Sequence, residues 1–124
     1  MKLSDLEISK RIEVARKLQK LGNYKEAEKI YNQLLTINSN SFELIFSYAI
    51  FCKDLKNFIL SKKLLVNLTK KFPTVVSPYI LIAEILRIEN RYIEAEKVLL
   101  LAKNIDSSNS ELMYNFALLY FSIK

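Results

Sequence analysis

The reactive side chains of this chain make a short inventory. None of the 124 residues is histidine, so no imidazole can act as a general base, as partner to a Ser or Cys nucleophile, or as a metal ligand. The one thiol, Cys52, permits neither an internal disulfide nor a Cys-rich zinc site. The one glycine, Gly22, cannot supply the repeated close backbone approaches of a phosphate-cradling loop. Acid pairs such as Glu94 and Glu96 have the spacing of exposed helix positions, where ion pairs account for them better than the convergent carboxylates of a hydrolase. This inventory points away from an enzyme, and it calls for no cofactor and no metal.

Charge is the next candidate for chemistry. Nineteen basic against thirteen acidic residues give a net charge of +6. Lys53, Lys56, Lys62, Lys63, Lys70 and Lys71, offset only by Asp54, concentrate it between residues 53 and 71. Such a run is a candidate surface for RNA or an anionic membrane. A solvated helix face is the simpler reading, because abundant Lys, Ile and Asn with scarce Gly, Pro and Trp is the bias of an AT-rich genome. The aromatic residues also fall mostly in core columns, which leaves no base-stacking platform, so nucleic acid is not the expected partner. Asn67-Leu68-Thr69 matches a glycosylation acceptor, but it lies inside a predicted helix and is read as chance.

The start, MKLSDLE, places charges where a secretory peptide would be apolar. The uncharged run 112–123 is well short of the roughly 18–20 residues that span a bilayer. With one unpaired thiol, these features fit a cytoplasmic protein without a transmembrane segment.

The elements that carry these residues follow from a repeat. Ala15, Ala49, Ala83 and Ala117 recur at intervals of 34. Val14, Tyr48, Ile82 and Phe116 stand immediately before them, and Leu18, Cys52, Leu86 and Tyr120 three residues after. A second small column, Ala27, Ser61 and Ala95, is followed four residues later by Tyr31, Leu65 and Leu99. The units close at Ser39, Pro73 and Ser107.

This register resembles the tetratricopeptide repeat, a helix hairpin of 34 residues with small residues where its helices cross and a closing proline. The Trp position of the family carries Arg11, Ile45, Tyr79 and Met113, its Gly position is always Ala, and the closing Pro survives only as Pro73. The resemblance implies one all-α domain over 1–124, a solenoid of antiparallel helix pairs wound into a right-handed superhelix. It divides into an N-terminal extension over 1–7, repeats over 8–41, 42–75 and 76–109, and a half repeat over 110–124.

Periodicity independently gives about seven helices, near 5–20, 24–37, 42–54, 58–71, 78–89, 92–104 and 109–122, since apolar residues recur at three and four and breakers are almost absent. Ser4 with Glu7 reads as a capping box and Leu3 with Ile8 as its hydrophobic staple. Asn23, Asn40, Ser77 and Ser108 are the candidate N-caps of later helices. Gly22, Lys56 and Asn90 fall where a left-handed residue would stop the first helix of each pair.

The resemblance also implies a function: a noncatalytic protein-interaction module that holds a peptide or helix of another protein in the concave groove formed by successive first helices. The groove residues expected are Ile12, Arg16, Phe46, Ile50, Lys53, Ile80, Glu84, Arg87, Tyr114 and Leu118, a stripe apolar in the middle and charged at its edges. One subfamily grips the C-terminal carboxylate of chaperones with Lys, Asn and Arg at fixed positions. Here those positions hold Ile12, Arg16, Ser47, Ser77 and Leu81, or one unit on Phe46, Ile50, Leu81, Glu111 and Asn115, and only Arg16 is suitable.

The two ends differ. Where later units present Leu44 and Phe51, Pro78 and Ile85, or Leu112 and Leu119 to the preceding unit, the first presents Lys10 and Lys17, the polar face of an N-terminal cap. The segment SELMYNFALLYFSIK is apolar almost all round. Met113, Phe116, Tyr120 and Ile123 are therefore the expected interface for a further helix, a partner or a second copy.

Overall fold

A computed structural model describes residues 2–123. They form seven helices and no strand: α1 (Asp5–Lys20), α2 (Tyr24–Ile37), α3 (Phe42–Asp54), α4 (Phe58–Lys71), α5 (Ser77–Ile88), α6 (Tyr92–Ile105) and α7 (Ser110–Ser122). Each predicted helix is present, with ends displaced by at most one residue. The helices pack as pairs α1/α2, α3/α4 and α5/α6, and α7 lies against both α5 and α6. This is an all-α solenoid.

The stops repeat as faithfully as the helices. Gly22, Lys56 and Asn90 all adopt positive φ, at 83°, 63° and 63°. After each, the next residue's N–H reaches back five residues: Asn23 to the Leu18 carbonyl, Asn57 to Cys52 and Arg91 to Leu86, all at 2.8 Å. This is the bond pattern of a Schellman motif, which satisfies carbonyls that the helix end leaves open. A side chain at such a φ costs roughly 1–2 kcal/mol, which glycine avoids and asparagine tolerates best.

The starts are more varied. The Ser4 capping box forms in full, with the Glu7 N–H donating to Ser4 Oγ and the Ser4 N–H to Glu7 Oε1. Leu3 packs on the core that contains Ile8, and Asn38 bonds both the N–H and the carbonyl of Leu3 at 3.2 Å. Three of the four other predicted caps are displaced by one residue. Ser41, not Asn40, caps α3, because Asn40 Oδ1 instead accepts from the Lys71 ammonium at 2.8 Å. Asn109, not Ser108, caps α7, because Ser108 closes a turn onto Asp106. Val76 precedes α5, so Ser77 is already helical and makes no capping bond. Asn23 sits at the start of α2 without a side-chain cap, while Asn57 caps α4 by accepting from the Leu60 N–H.

The core is a continuous seam in which Ala15, Ala49 and Ala83 meet Ala27, Ser61 and Ala95, all six buried. Small side chains at these crossings let the helix axes approach, and larger ones fill the space around them. Tyr31 stacks on Tyr48 with ring centroids 5.2 Å apart, and Phe51 closes the cluster. Ser61 is accommodated because its hydroxyl donates to the Ala49 carbonyl at 2.7 Å, so no polar atom there is left unpaired. Leu44, Phe51, Pro78, Ile85, Leu112 and Leu119 are buried between successive pairs, whereas Lys10 and Lys17 on α1 face solvent.

Candidate peptide-binding groove

The first helices of successive pairs are joined by polar bridges along one face. Between α1 and α3, the Ser9 hydroxyl donates to Glu43 Oε1 at 2.6 Å, Arg16 Nη2 to Ser47 Oγ at 3.2 Å and Gln19 Nε2 to Asp54 Oδ2 at 3.1 Å. Between α3 and α5, Lys53 Nζ lies 2.6 Å from Glu84 Oε2. Partners are 31 to 35 residues apart, about one repeat length, so the same helix face is bridged each time.

Under the α1–α3 bridges lies an open cleft of about 380 Å³. Arg16, Gln19 and Lys20 form one wall, Ser47, Ile50, Asp54 and Leu55 the other, and Tyr24, Tyr31 and Phe51 line the rest. An apolar side chain fits its apolar lining, and Arg16 and Lys20 give its rim cations for a carbonyl or carboxylate.

Seven of the ten predicted groove residues divide into three groups. Arg16, Ile50 and Lys53 lie on α1 and α3 at the cleft or its bridges, and Glu84 joins them through Lys53. Phe46 is half-buried, stacked on Phe42 with centroids 5.5 Å apart. On the last helix, Tyr114 is 64% exposed and Leu118 half-buried.

Ile12 and Ile80 require correction. They are 0% and 1% exposed, packed in the core, and hold α1 and α5 in place rather than lining the groove. Ile12 belongs to the buried stripe of Ile8 and Ala15, one helical turn to either side.

Tyr24, Asp54 and Leu55 line the cleft without having been expected there, and Ser47 does so from one of the positions weighed for a carboxylate. Ser47 follows Glu43 by four and shares its face. Tyr24 comes from the start of a second helix, and Leu55 from beyond the end of a first one; no helical period extends to them.

Arg87 stands apart. Its Nε is buried and forms no hydrogen bond among the described residues. It lies one turn beyond Glu84 on α5, on the face that Lys53 bridges. A buried donor of this kind costs about 1–3 kcal/mol unless something accepts from it.

The lysine run is partly neutralised within the fold. Lys53 pairs with Glu84, Lys62 Nζ lies 2.6 Å from Glu89 Oε1, and Lys71 donates to Asn40 and to the Ser39 carbonyl. Lys56, Lys63 and Lys70 remain exposed. Cys52 is buried, and desolvation pushes its thiol up to about 12, so it packs as a small apolar group. Among the described residues no cluster of Cys, Asp and Glu could hold a metal ion, and no helix is long and apolar enough to cross a membrane.

At the far end, Met113, Tyr120 and Ile123 are 53%, 50% and 51% exposed. Phe116, predicted with them, instead turns inward and packs with Leu112 and Leu119. Its ring still stacks on Tyr120 at 5.9 Å, and the Tyr120 hydroxyl donates to Glu96 at 2.8 Å.

Residues 14–41, from the middle of α1 to the turn before α3, match the tetratricopeptide repeat family. The chain superimposes on a solved structure, the first TPR of Spaghetti (RPAP3) bound to the HSP90 peptide SRMEEVD, with a TM-score of 0.78. The match covers 99% of this chain and 98% of the other at 15% identity, a likeness of fold. No curated protein matches it.

Proposed function

We propose that this chain is a tetratricopeptide repeat protein throughout, a noncatalytic interaction module that binds a peptide or short helix along the face of α1, α3, α5 and α7. The observation that carries this reading is the buried, unpartnered Nε of Arg87 on the face that the polar bridges share with the α1–α3 cleft. A peptide carbonyl or carboxylate would satisfy that donor, while an apolar side chain settles beside Ile50. The division into repeats at 8–41, 42–75 and 76–109, with a half repeat over 110–124, belongs to the same proposal, as does a cytoplasmic setting.

The solved neighbour carries an HSP90 peptide, which supports a peptide as the class of ligand. The residues here favour a different one. Ile12 and Leu81 are buried, and Asn115 is buried with its amide donating to the Glu111 carbonyl, so neither register offers a cluster of cations for an acidic C-terminus. An apolar or amphipathic segment with at most a few acids suits the groove better.

The test is selection from a random peptide library followed by titration against Arg87→Met and Ile50→Ser. Each substitution should weaken the selected peptides about tenfold or more, the scale of a lost charge-assisted hydrogen bond or buried apolar contact, with thermal unfolding little changed. Peptides that bind both variants as tightly as the parent chain would place the site elsewhere. RNA or anionic-membrane binding through Lys56, Lys63 and Lys70 is the weaker reading, since the other three lysines of the run are already engaged; such binding would fall steeply with added salt.

A further inference from the structure

Seven alanines occur in the chain, and six are buried. The seventh, Ala117, is exposed. It stands in the same column as Ala15, Ala49 and Ala83, each of which is covered by a second helix. α7 packs on α5 and α6, but among the described residues it carries no pairing helix of its own as α1, α3 and α5 do. Met113, four residues before Ala117, and Tyr120, three after, are consequently half-exposed along one stripe with Ile123.

The fold itself shows what chemistry covers such a stripe. On each of the three earlier first helices lies an antiparallel helix with a small residue at the crossing, Ala27, Ser61 or Ala95. Large apolar side chains follow three and four residues on: Ile30 and Tyr31, Leu64 and Leu65, Val98 and Leu99. Only one exposed helix face among the described residues has a mid-helix small residue between large apolar ones. It is the α7 stripe itself. The chemistry that the stripe requires is therefore present on a second copy.

We propose that two copies of this chain associate through α7, antiparallel, with Ala117 against Ala117 at a two-fold axis and Met113 of each beside Tyr120 of the other. A stripe with its small residue central and its large residues on both sides is self-complementary in that orientation, as a two-fold interface must be. Charge agrees. Residues 1–91 hold sixteen Lys and Arg against nine Asp and Glu, whereas residues 92–124 hold three against four. Two basic molecules approach with least repulsion at this end. The Tyr120 hydroxyl keeps its bond to Glu96 and presents the ring to the partner. Tyr114 of the groove stands three residues before Ala117, so the association uses the adjoining side of α7; sedimentation reads the association and peptide titration against Arg87→Met reads the groove, so failure of either proposal is told apart from failure of the other.

Sedimentation velocity over a range of concentrations reads the association directly. The parent chain should pass from about 14.5 kDa to twice that mass. Ala117→Arg, at an exposed position in a helix that arginine suits, should leave the circular dichroism unchanged and raise the dimer dissociation constant about 100-fold or more, because it places two like charges on the axis. Ala117→Cys should form a disulfide dimer on mild oxidation, with Cys52 too buried to compete, and much faster than Ile59→Cys on the exposed side of α4. A mass near 14.5 kDa at every concentration, a dimer indifferent to Ala117→Arg, or equal rates for the two cysteine variants would each overturn the proposal.

Discussion

Lys53 on α3 reaches Glu84 on α5, with Nζ 2.6 Å from Oε2. Both side chains are mostly shielded, and this is the only ion pair among the described residues that joins two first helices. Partial burial makes it stronger than a surface pair, and two-sided solvent access spares it the full desolvation cost. A double-mutant cycle with Lys53→Met and Glu84→Gln should give a coupling of about 0.5–1.5 kcal/mol in urea unfolding, decreasing with added salt.

Core and groove separate by the cost of truncation. Ile12→Ala and Ile80→Ala, at buried positions, should each cost about 2–5 kcal/mol by chemical denaturation. Ile50→Ala, at a half-buried position on the cleft, should cost less than about 2 kcal/mol and act mainly on peptide affinity. Equal costs at all three positions would mean that Ile50 is core as well.

The helix stops predict a stabilising change. Lys56 holds a φ of 63° in the slot that Gly22 fills at 83°. Lys56→Gly should raise stability by about 1 kcal/mol, whereas Gly22→Ala, which meets no clash but imposes the strained φ, should lower it by a similar amount. Thermal unfolding of the two variants checks both signs.

Alkali should unfold the protein earlier than its lysines and arginines alone would. Burial raises the Cys52 thiol from its ordinary 9.0 to about 12, and burial beside Cys52 and Glu28 raises the Tyr48 hydroxyl far above its ordinary 10.0. The unfolded chain thus releases these protons first. The stability they contribute is whole below pH 9 and is lost as pH climbs from 9 toward 12, by at most about 1.4 kcal/mol per unit for each group. Urea midpoints between pH 8 and 11 should fall, with a shallower slope in Cys52→Ala.

The fold was legible because its signals are local and recur. Apolar residues at three and four, a left-handed stop every 34 residues and small residues at each crossing place all seven helices within one residue of their ends. The caps missed by one position are those where a neighbour competes: Lys71 draws Asn40 away, and Asp106 holds Ser108. The site was harder to read. Groove and core on one helix differ by a rotation of about 100°, a single residue, and Ile12, Ile80 and Phe116 all fell on the inward side of that step. Tyr24, contributed by a second helix, and the unsatisfied Arg87 depend on the stacking of separate pairs, which no periodicity within one helix records.

The buried side chains gather into three clusters, each sharing helices only with the next. Among the described residues α1 and α7 share no core cluster, so tension applied between the termini has no cross-brace to defeat all at once. The molecule should therefore lengthen under load in successive yields, peeling hairpin by hairpin, with the Lys53–Glu84 and Lys62–Glu89 links setting the force at which the middle hairpin parts from the last.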